Sequence, residues 1–153
     1  MFTQKKLQIE IDLVTGIDFQ LQEYLYFTSE KFGELRTMTS SDGISGPQIT
    51  SNIIPRFGPY LASGILHDGA FRDKLEKKNG DVWFPWTIEL EKDCNLLIEE
   101  ALESEGCSWL EREIIYNALQ LFGWHAFDDD RKAANQPTQK EVASLVKATS
   151  DIA

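Results

Sequence analysis

The first forty residues alternate between apolar and polar positions. In residues 7–13, LQIEIDL, every second side chain is apolar, and residues 19–27, FQLQEYLYF, largely repeat this period of two after a turn at Gly16. A period of two is typical of a half-buried β-strand. The segment KFGELRTM, interrupted at Gly33, predicts a third short strand. We therefore predict a small N-terminal antiparallel sheet.

The spacing of apolar positions changes to three and four residues after Pro59, a residue that suits the first turn of a helix. This helical spacing continues to Phe71 and returns over residues 87–104 and 109–122. Sheet and helices together predict an α+β fold, in which the small N-terminal antiparallel sheet packs with three or four helices. We expect a single domain over residues 1–127.

Two capping-box patterns mark helix starts, Ser108 with Glu111 and Thr138 with Glu141. The first opens the third helix, and the second opens a short amphipathic segment whose apolar stripe is Val142, Leu145 and Val146. Before this segment, the charged and polar stretch DDDRKAANQPTQ predicts a linker. Residues 128–153 are therefore expected to be a polar linker and a short C-terminal amphipathic helix, which packs on the body or on a partner.

The middle of the chain combines a charged stretch with an aromatic one. Residues 72–81, RDKLEKKNGD, interleave basic and acidic side chains, which predicts a solvated connector. The next residues, VWFPWT, hold Trp83, Phe84 and Trp86 around a proline. Such a cluster is expected to lie in the core, since an acidic chain is a poor match for base stacking on nucleic acid.

The formal net charge of −10 limits the classes of partner that the protein is expected to bind. An acidic surface repels phosphate backbones and anionic lipids, so we expect no nucleic-acid partner. No apolar run approaches the roughly 20 residues that span a bilayer, and the N-terminal residues do not resemble a signal peptide. We expect a cytoplasmic protein without a membrane anchor, whose two cysteines, Cys94 and Cys107, are buried, reduced thiols.

The stretch GILHDGAF carries the most suggestive chemistry, His67 beside Asp68 on a predicted helix. His67 suits a general base, since the unperturbed pKa of histidine lies near neutrality, whereas Asp68 is a hard oxygen ligand for a metal ion. Asp93 borders the buried face of the next helix, where an antiparallel helix pair would let it orient His67. The structural alternatives are a buried, hydrogen-bonded His67 and a solvent-facing Asp93.

Asp42 lies in the Gly-rich stretch SSDGISG. Asp before Gly first of all indicates a turn. The functional alternative is a loop that offers its carboxylate and several backbone carbonyls to a cation, or its backbone N–H groups to an anion. Asp42 and Asp68 are therefore the candidate metal ligands, and His67 and Asp93 the candidate catalytic residues.

An ordered set of motifs, SDGISGP, GPYLASGILHDGAFR, Asp93 and EIIYNALQLFGWHAF, resembles the largely phage-encoded family called domain of unknown function 1353. The resemblance covers residues 32–127. Ser41 stands where the family has Thr, and Phe71 stands where it has Tyr. Because the function of the family is itself unknown, the resemblance implies a fold and a phage origin.

The His-Asp pair is also similar to the arrangement in phospholipase A2. That similarity implies His67 as the base, Asp68 as a calcium ligand and Asp93 as the residue that orients His67. The loop over residues 43–46 would supply carbonyl ligands. Phe71 lacks the supporting hydroxyl of that family, and its disulfides are absent.

Three functions follow from these patterns. The first is a phage-type accessory or virion-associated interaction protein, which contacts protein partners or further copies of itself through the sheet face and the C-terminal helix. The second is a metal-assisted, calcium-type hydrolase that uses His67, Asp68 and Asp93. The third is a small-ligand or nucleotide-signal binding protein, whose pocket is the polar loop over residues 39–50. We favour the first.

Overall fold

Two antiparallel sheets and three helices make up the part of the chain that the computed structural model describes, namely residues 1–3, 8–11, 19–41 and 60–134. The strands are β1 (Ile9–Ile11), β2 (Phe19–Leu21), β3 (Leu25–Ser29), β4 (Gly33–Thr37), β5 (Ser40–Ser41), β6 (Leu75–Asn79) and β7 (Val82–Trp86). The helices are α1 (Leu61–Phe71), α2 (Glu91–Ser104) and α3 (Trp109–Ala134). The predicted α+β class with an N-terminal antiparallel sheet is confirmed.

The larger sheet has the strand order β3-β4-β6-β7, and the smaller one has the order β1-β2-β5. The prediction of a single strand over residues 19–27 was wrong, because β2 and β3 belong to different sheets. The predicted connector over residues 72–81 contains β6, whose Leu75 is buried in the core. Two of its lysines fit a strand because their ammonium groups lie over aromatic rings, Lys77 over Trp86 at 5.0 Å and Lys78 over Trp83 at 6.0 Å.

The two faces of the larger sheet differ sharply in burial. Every buried residue of β3, β4 and β6 lies on one face, the inner face, which packs against α1 and α2. These residues are Leu25, Phe27, Ser29, Leu35, Thr37 and Leu75. The opposite face, called the outer face below, carries alternate residues that keep at least part of their surface in solvent. They are Tyr26, Thr28, Glu34, Arg36, Glu76, Lys78, Trp83 and Pro85.

Helix α1 is the centre of the core, since residues 62–71 are all buried. It lies close to β4 at Gly69, where an added Cβ would meet the hydroxyl oxygen of Thr37 at 2.5 Å. That hydroxyl donates to the carbonyl of Lys74 and is therefore fixed in place. A glycine at this position is what lets the helix approach the strand so closely.

Helices α1 and α2 are antiparallel, as the sequence predicts. The first turn of α1 meets the end of α2 through Ser63 and Glu105, and His67 meets Asn95 near the start of α2. The predicted capping box of Ser108 also forms, with the Glu111 carboxylate 3.0 Å from the Ser108 amide nitrogen.

Two helix boundaries differ from the prediction. Helix α2 begins at Glu91 rather than at residue 87, and α3 continues to Ala134 rather than ending at residue 122. Residues 128–134 were assigned to a linker because they are polar, but Arg131, Lys132, Ala133 and Ala134 are good helix formers. The predicted C-terminal helix lies outside the described residues. The division into residues 1–127 and 128–153 stays a prediction.

Candidate functional site

His67 lies in the interface between α1 and α2, where a short chain of hydrogen bonds fixes its chemical state. Its Nε2 atom is 3.3 Å from Oδ1 of Asn95, and Nδ2 of Asn95 donates to the Glu91 carboxylate at 3.0 Å. Because an ionised carboxylate only accepts hydrogen bonds, the amide nitrogen of Asn95 must face Glu91. Its oxygen then faces His67, so Nε2 of His67 carries the proton and Nδ1 carries the lone pair.

The surroundings of His67 keep the imidazole neutral. Burial lowers the pKa of His67 to about 4, although the hydrogen bond with Asn95 acts in the opposite direction. The ring lies 4.0 Å from the ring centre of Phe71, which in turn meets Phe127 edge-on at 5.1 Å. A base with so low a pKa is poorly matched to catalysis at neutral pH. The environment fits the structural alternative, a buried histidine paired with a polar side chain.

The structure does not bring Asp93 to His67, and the catalytic assignment of Asp93 stays a prediction. Residues two apart on a helix point in directions about 200° apart, so Asp93 lies on the opposite side of α2 from Asn95. Its carboxylate binds Nζ of Lys31 at 2.6 Å, in the turn between β3 and β4. Asn95 occupies the position that the sequence assigned to Asp93.

Of the two predicted metal ligands, Asp68 and Asp42, the structure describes Asp68. Asp68 is buried and its carboxylate lies 3.9 Å from the guanidinium of Arg72, one turn along α1. Asp42 lies outside the described residues. Among the residues that the structure does describe, no three His, Cys, Asp or Glu side chains come together in a way that could hold a metal ion. A calcium site formed by Asp68 and Asp42 stays a prediction.

A second polar contact joins α1 to the end of α2. The Glu105 carboxylate accepts hydrogen bonds from the amide of Ser63, at 3.1 Å, and from the Ser63 hydroxyl. Burial raises the pKa of Glu105, although these hydrogen bonds partly offset that effect. The carboxylate satisfies the first turn of α1, which has no side-chain cap of its own.

Both cysteines are buried thiols outside any disulfide, as predicted. Cys107 lies in a polar cluster with Tyr60 and Glu111, where Glu111 Oε2 is 3.9 Å from the thiol sulfur and 3.4 Å from the phenol oxygen. Burial raises the pKa of the Cys107 thiol. A protonated, buried thiol is a poor nucleophile, so the cluster has a packing role.

The outer face of the larger sheet carries an aromatic and cationic cluster that the sequence did not reveal. The guanidinium of Arg36 lies over the rings of Tyr24, at 4.0 Å, and Trp83, at 4.6 Å. Trp83 also meets Tyr26 edge-on at 5.6 Å. Since Tyr26 and Trp83 belong to the two outermost strands of the sheet, the cluster crosses the whole face.

The charged side chains of the outer face are paired with one another. Arg36 binds Glu76 at 2.5 Å, and Lys78 binds Glu34 at 2.9 Å. Two positive and two negative side chains cancel, so this face carries no net charge on a chain whose total is −10. The outer face is thus a neutral, aromatic surface on an acidic molecule.

The alternation of side chains along β7 determines on which face of the sheet each of the three aromatic residues around Pro85 lies. Trp83 and Trp86 are three residues apart and therefore lie on opposite faces of a strand. Trp86 packs against the core, as predicted. Trp83 lies on the outer face, and Phe84 is 37% exposed. The expectation that all three are core residues was wrong for Trp83 and for Phe84.

Comparisons of this chain with models of known protein families, with curated proteins and with solved structures found no match. The resemblances to domain of unknown function 1353 and to phospholipase A2 therefore stay predictions. Within the described residues, no helix has both the length and the apolar character needed to cross a membrane.

Proposed function

We propose that this protein is an interaction protein that binds a protein partner through the outer face of its larger sheet. The observation that carries the proposal is the cluster of Tyr26, Arg36 and Trp83, which contact one another on a face without buried residues. A phage-type accessory role for it rests on the resemblance of residues 32–127 to domain of unknown function 1353.

The composition of the cluster supports this role. Trp, Tyr and Arg are the residues that most often dominate the binding energy of protein interfaces. Here the guanidinium is already held between two rings and bonded to Glu76. Side chains that are ordered before binding lose little conformational entropy when a partner arrives.

The β7 edge of the larger sheet is a less suitable binding surface than its outer face. Among the described strands, β7 is an edge strand. The turn between β6 and β7 has two residues, and this register makes Glu76 and Pro85 a pair without hydrogen bonds to each other. The backbone groups of Pro85 therefore point away from β6, toward the open edge. Proline has no amide hydrogen, so it weakens pairing by an added strand. A partner is therefore expected to meet the flat outer face.

The hydrolase hypothesis receives less support from the geometry. The predicted contact between His67 and Asp93 is replaced by contacts of each residue with a different partner. The small-ligand hypothesis depends on the loop over residues 39–50, most of which lies outside the described residues. Both stay predictions.

A photo-crosslinking experiment tests the proposed function. A photoreactive amino acid replaces Thr28, which is exposed on the outer face, or Asn117, which is exposed on α3, in cells that make the protein naturally. We expect a discrete crosslinked protein from position 28 alone. The purified wild-type chain should form a complex with that protein, whereas the Trp83→Ala variant should not. No product from position 28, or the same product from position 117, would contradict the proposal.

A further inference from the structure

We infer that the partner of the outer face is a second copy of this chain, related by a twofold axis that runs along the strands between β4 and β6. The inference rests on the proposed function and names its partner. It is carried by the charge balance of the face and by the strand register that places each charged side chain.

Charge balance favours an acidic partner. Two molecules of charge −10 repel each other in most relative orientations. The repulsion is smallest in an orientation that brings two neutral surfaces together. A basic partner would instead be attracted to the acidic remainder of the surface. A neutral, aromatic face is therefore best suited to a partner that is itself acidic, such as another copy of this chain.

Strand register makes the face complementary to itself. Arg36 lies directly across from Glu76, and the same register sets Glu34 across from Lys78, so both pairs span β4 and β6, the two central strands. A twofold rotation about an axis between these strands lays β4 of one copy over β6 of the other. Arg36 then faces Glu76 of the partner subunit, and Glu34 faces Lys78 of the partner subunit.

The same rotation matches the outer strands. Tyr26 on β3 lies in the row of Pro85 on β7, so the phenol ring of one copy meets the proline ring of the other. Thr28 lies in the row of Trp83 and meets the indole of the partner subunit. Opposite charges thus face each other across the axis, and each ring meets an uncharged side chain, as a self-complementary twofold interface requires.

The size of the face sets the strength of the dimer. Four strands of five residues measure roughly 20 Å by 17 Å at ordinary strand spacing and rise. That area is smaller than the about 800 Å² per partner of a standard stable interface. The dimer is therefore weak and reversible, and its population depends on protein concentration.

Charge-reversal variants test the pairing directly. Lys78→Glu sets two carboxylates against each other across the axis, and Glu34→Lys sets two ammonium groups against each other. Each variant alone is expected to self-associate about tenfold or more weakly than the wild type. An equimolar mixture of the two restores both opposite-charge pairs across the axis, so the mixture is expected to form a heterodimer.

Sedimentation velocity of the full chain, from about 1 µM to 1 mM, measures these states, and thermal melts confirm that each variant is folded. The wild type is expected to shift from its 17.4 kDa monomer to twice that mass. Trp83→Glu should abolish the shift, whereas the matched control Trp109→Glu should leave it unchanged, since Trp109 is 68% exposed and lies outside the face.

Several outcomes would overturn the inference. They are a wild-type chain that stays monomeric at every concentration, a folded variant mixture that does not associate, and loss of association in Trp109→Glu. A monomer whose position 28 still crosslinks to a different protein would overturn the second copy as partner and leave the proposed function standing. A monomer that yields no crosslinked product would overturn both.

Discussion

At the scale of single residues, Asn95 decides what His67 can do. Its amide is held by Glu91 on one side and accepts from the imidazole on the other. The histidine is thereby fixed as the tautomer protonated at Nε2 and is buried in its neutral form. Two predictions follow from this environment.

The first prediction concerns stability at mildly acidic pH. The folded pKa of His67, about 4, lies below its ordinary value of 6.5, so between these values the unfolded chain binds a proton that the folded chain does not. Stability therefore falls as the pH falls from about 6.5 to about 4, by roughly 3 kcal/mol. Urea unfolding across this range measures the effect.

The control for this measurement is His67→Gln, which cannot titrate. The difference in unfolding free energy between wild type and variant should change over the same pH window, since other acidic groups contribute equally to both. A difference that stays constant from pH 6.5 to pH 4 would show that His67 keeps its ordinary pKa in the folded protein, and would contradict this account.

The second prediction compares Asn95 with Asp93. Asn95→Leu leaves a buried imidazole N–H without its acceptor, which costs about 1–3 kcal/mol of unfolding free energy. Asp93→Asn removes a partly exposed ion pair with Lys31 and costs less than about 1 kcal/mol. Chemical denaturation measures both, and nitrogen NMR of the imidazole reports the tautomer. A change of the His67 tautomer in Asp93→Asn alone would contradict the structure.

The sequence could identify His67 as a buried, partnered residue but not its partner. Asp93 and Asn95 both lie near the apolar stripe of α2, and the phase of the helix becomes known only from its packing against α1. Because α2 begins at Glu91, four residues later than predicted, the boundary itself gave no guide to that phase. The Arg36 cluster was missed for a similar reason, since it joins strands that are distant in sequence.

At the scale of secondary-structure elements, the position of α1 depends on a close contact with β4. Gly69 of α1 faces Thr37, which is fully buried and donates a hydrogen bond to the carbonyl of Lys74, between α1 and β6. A side chain on the helix at this point must displace either the helix or the threonine. The contact therefore sets the distance between the helix and the sheet.

The third prediction follows from this contact. Gly69→Ala gains up to about 1 kcal/mol of helix propensity but overpacks the contact at a cost of about 1–3 kcal/mol, so a net loss of stability is expected. Thr37→Ala removes Oγ1 and Cγ2, two of the three Thr37 atoms that an added Cβ would meet, so the double variant should show a favourable coupling energy between the two sites. Thermal melts measure all three variants. Additive effects of the two substitutions would contradict the described packing.

Element prediction succeeded where periodicity was strong and failed where polarity was taken as a sign of a connector or linker. Helix α1 and the strands around Ile9 and Leu35 follow from apolar spacing alone. Strand β6 and the second half of α3 are rich in charged residues, and both were assigned to linkers. Strand β6 is formed by pairing with β4 and β7, which spacing along the chain does not record.

At the scale of the whole molecule, net charge opposes self-association. Two unscreened charges of −10 whose centres lie about 35 Å apart repel by on the order of 10 kcal/mol in water. The four charges of the outer face are local and already paired. Overall repulsion is therefore expected to outweigh the local pairs at low ionic strength.

The fourth prediction is that salt strengthens the dimer. Raising the salt concentration from about 0.01 M to 0.15 M shortens the Debye length from about 30 Å to 8 Å, which screens the overall repulsion. The dissociation constant from sedimentation should fall over this range. Lowering the pH toward the isoelectric point of about 4.6 should act in the same direction. A dissociation constant that rises with salt over this range would contradict this assignment.

The role of the outer face is tested most directly by NMR of the full chain during dilution. The amide signals of Tyr26, Arg36 and Lys78, and the indole signal of Trp83, are expected to shift together with protein concentration. Signals from His67 and Asn95 should stay in place. Shifts confined to α1 and α2, or no shifts at any concentration, would contradict the assignment of the outer face as the surface through which this chain meets a second copy.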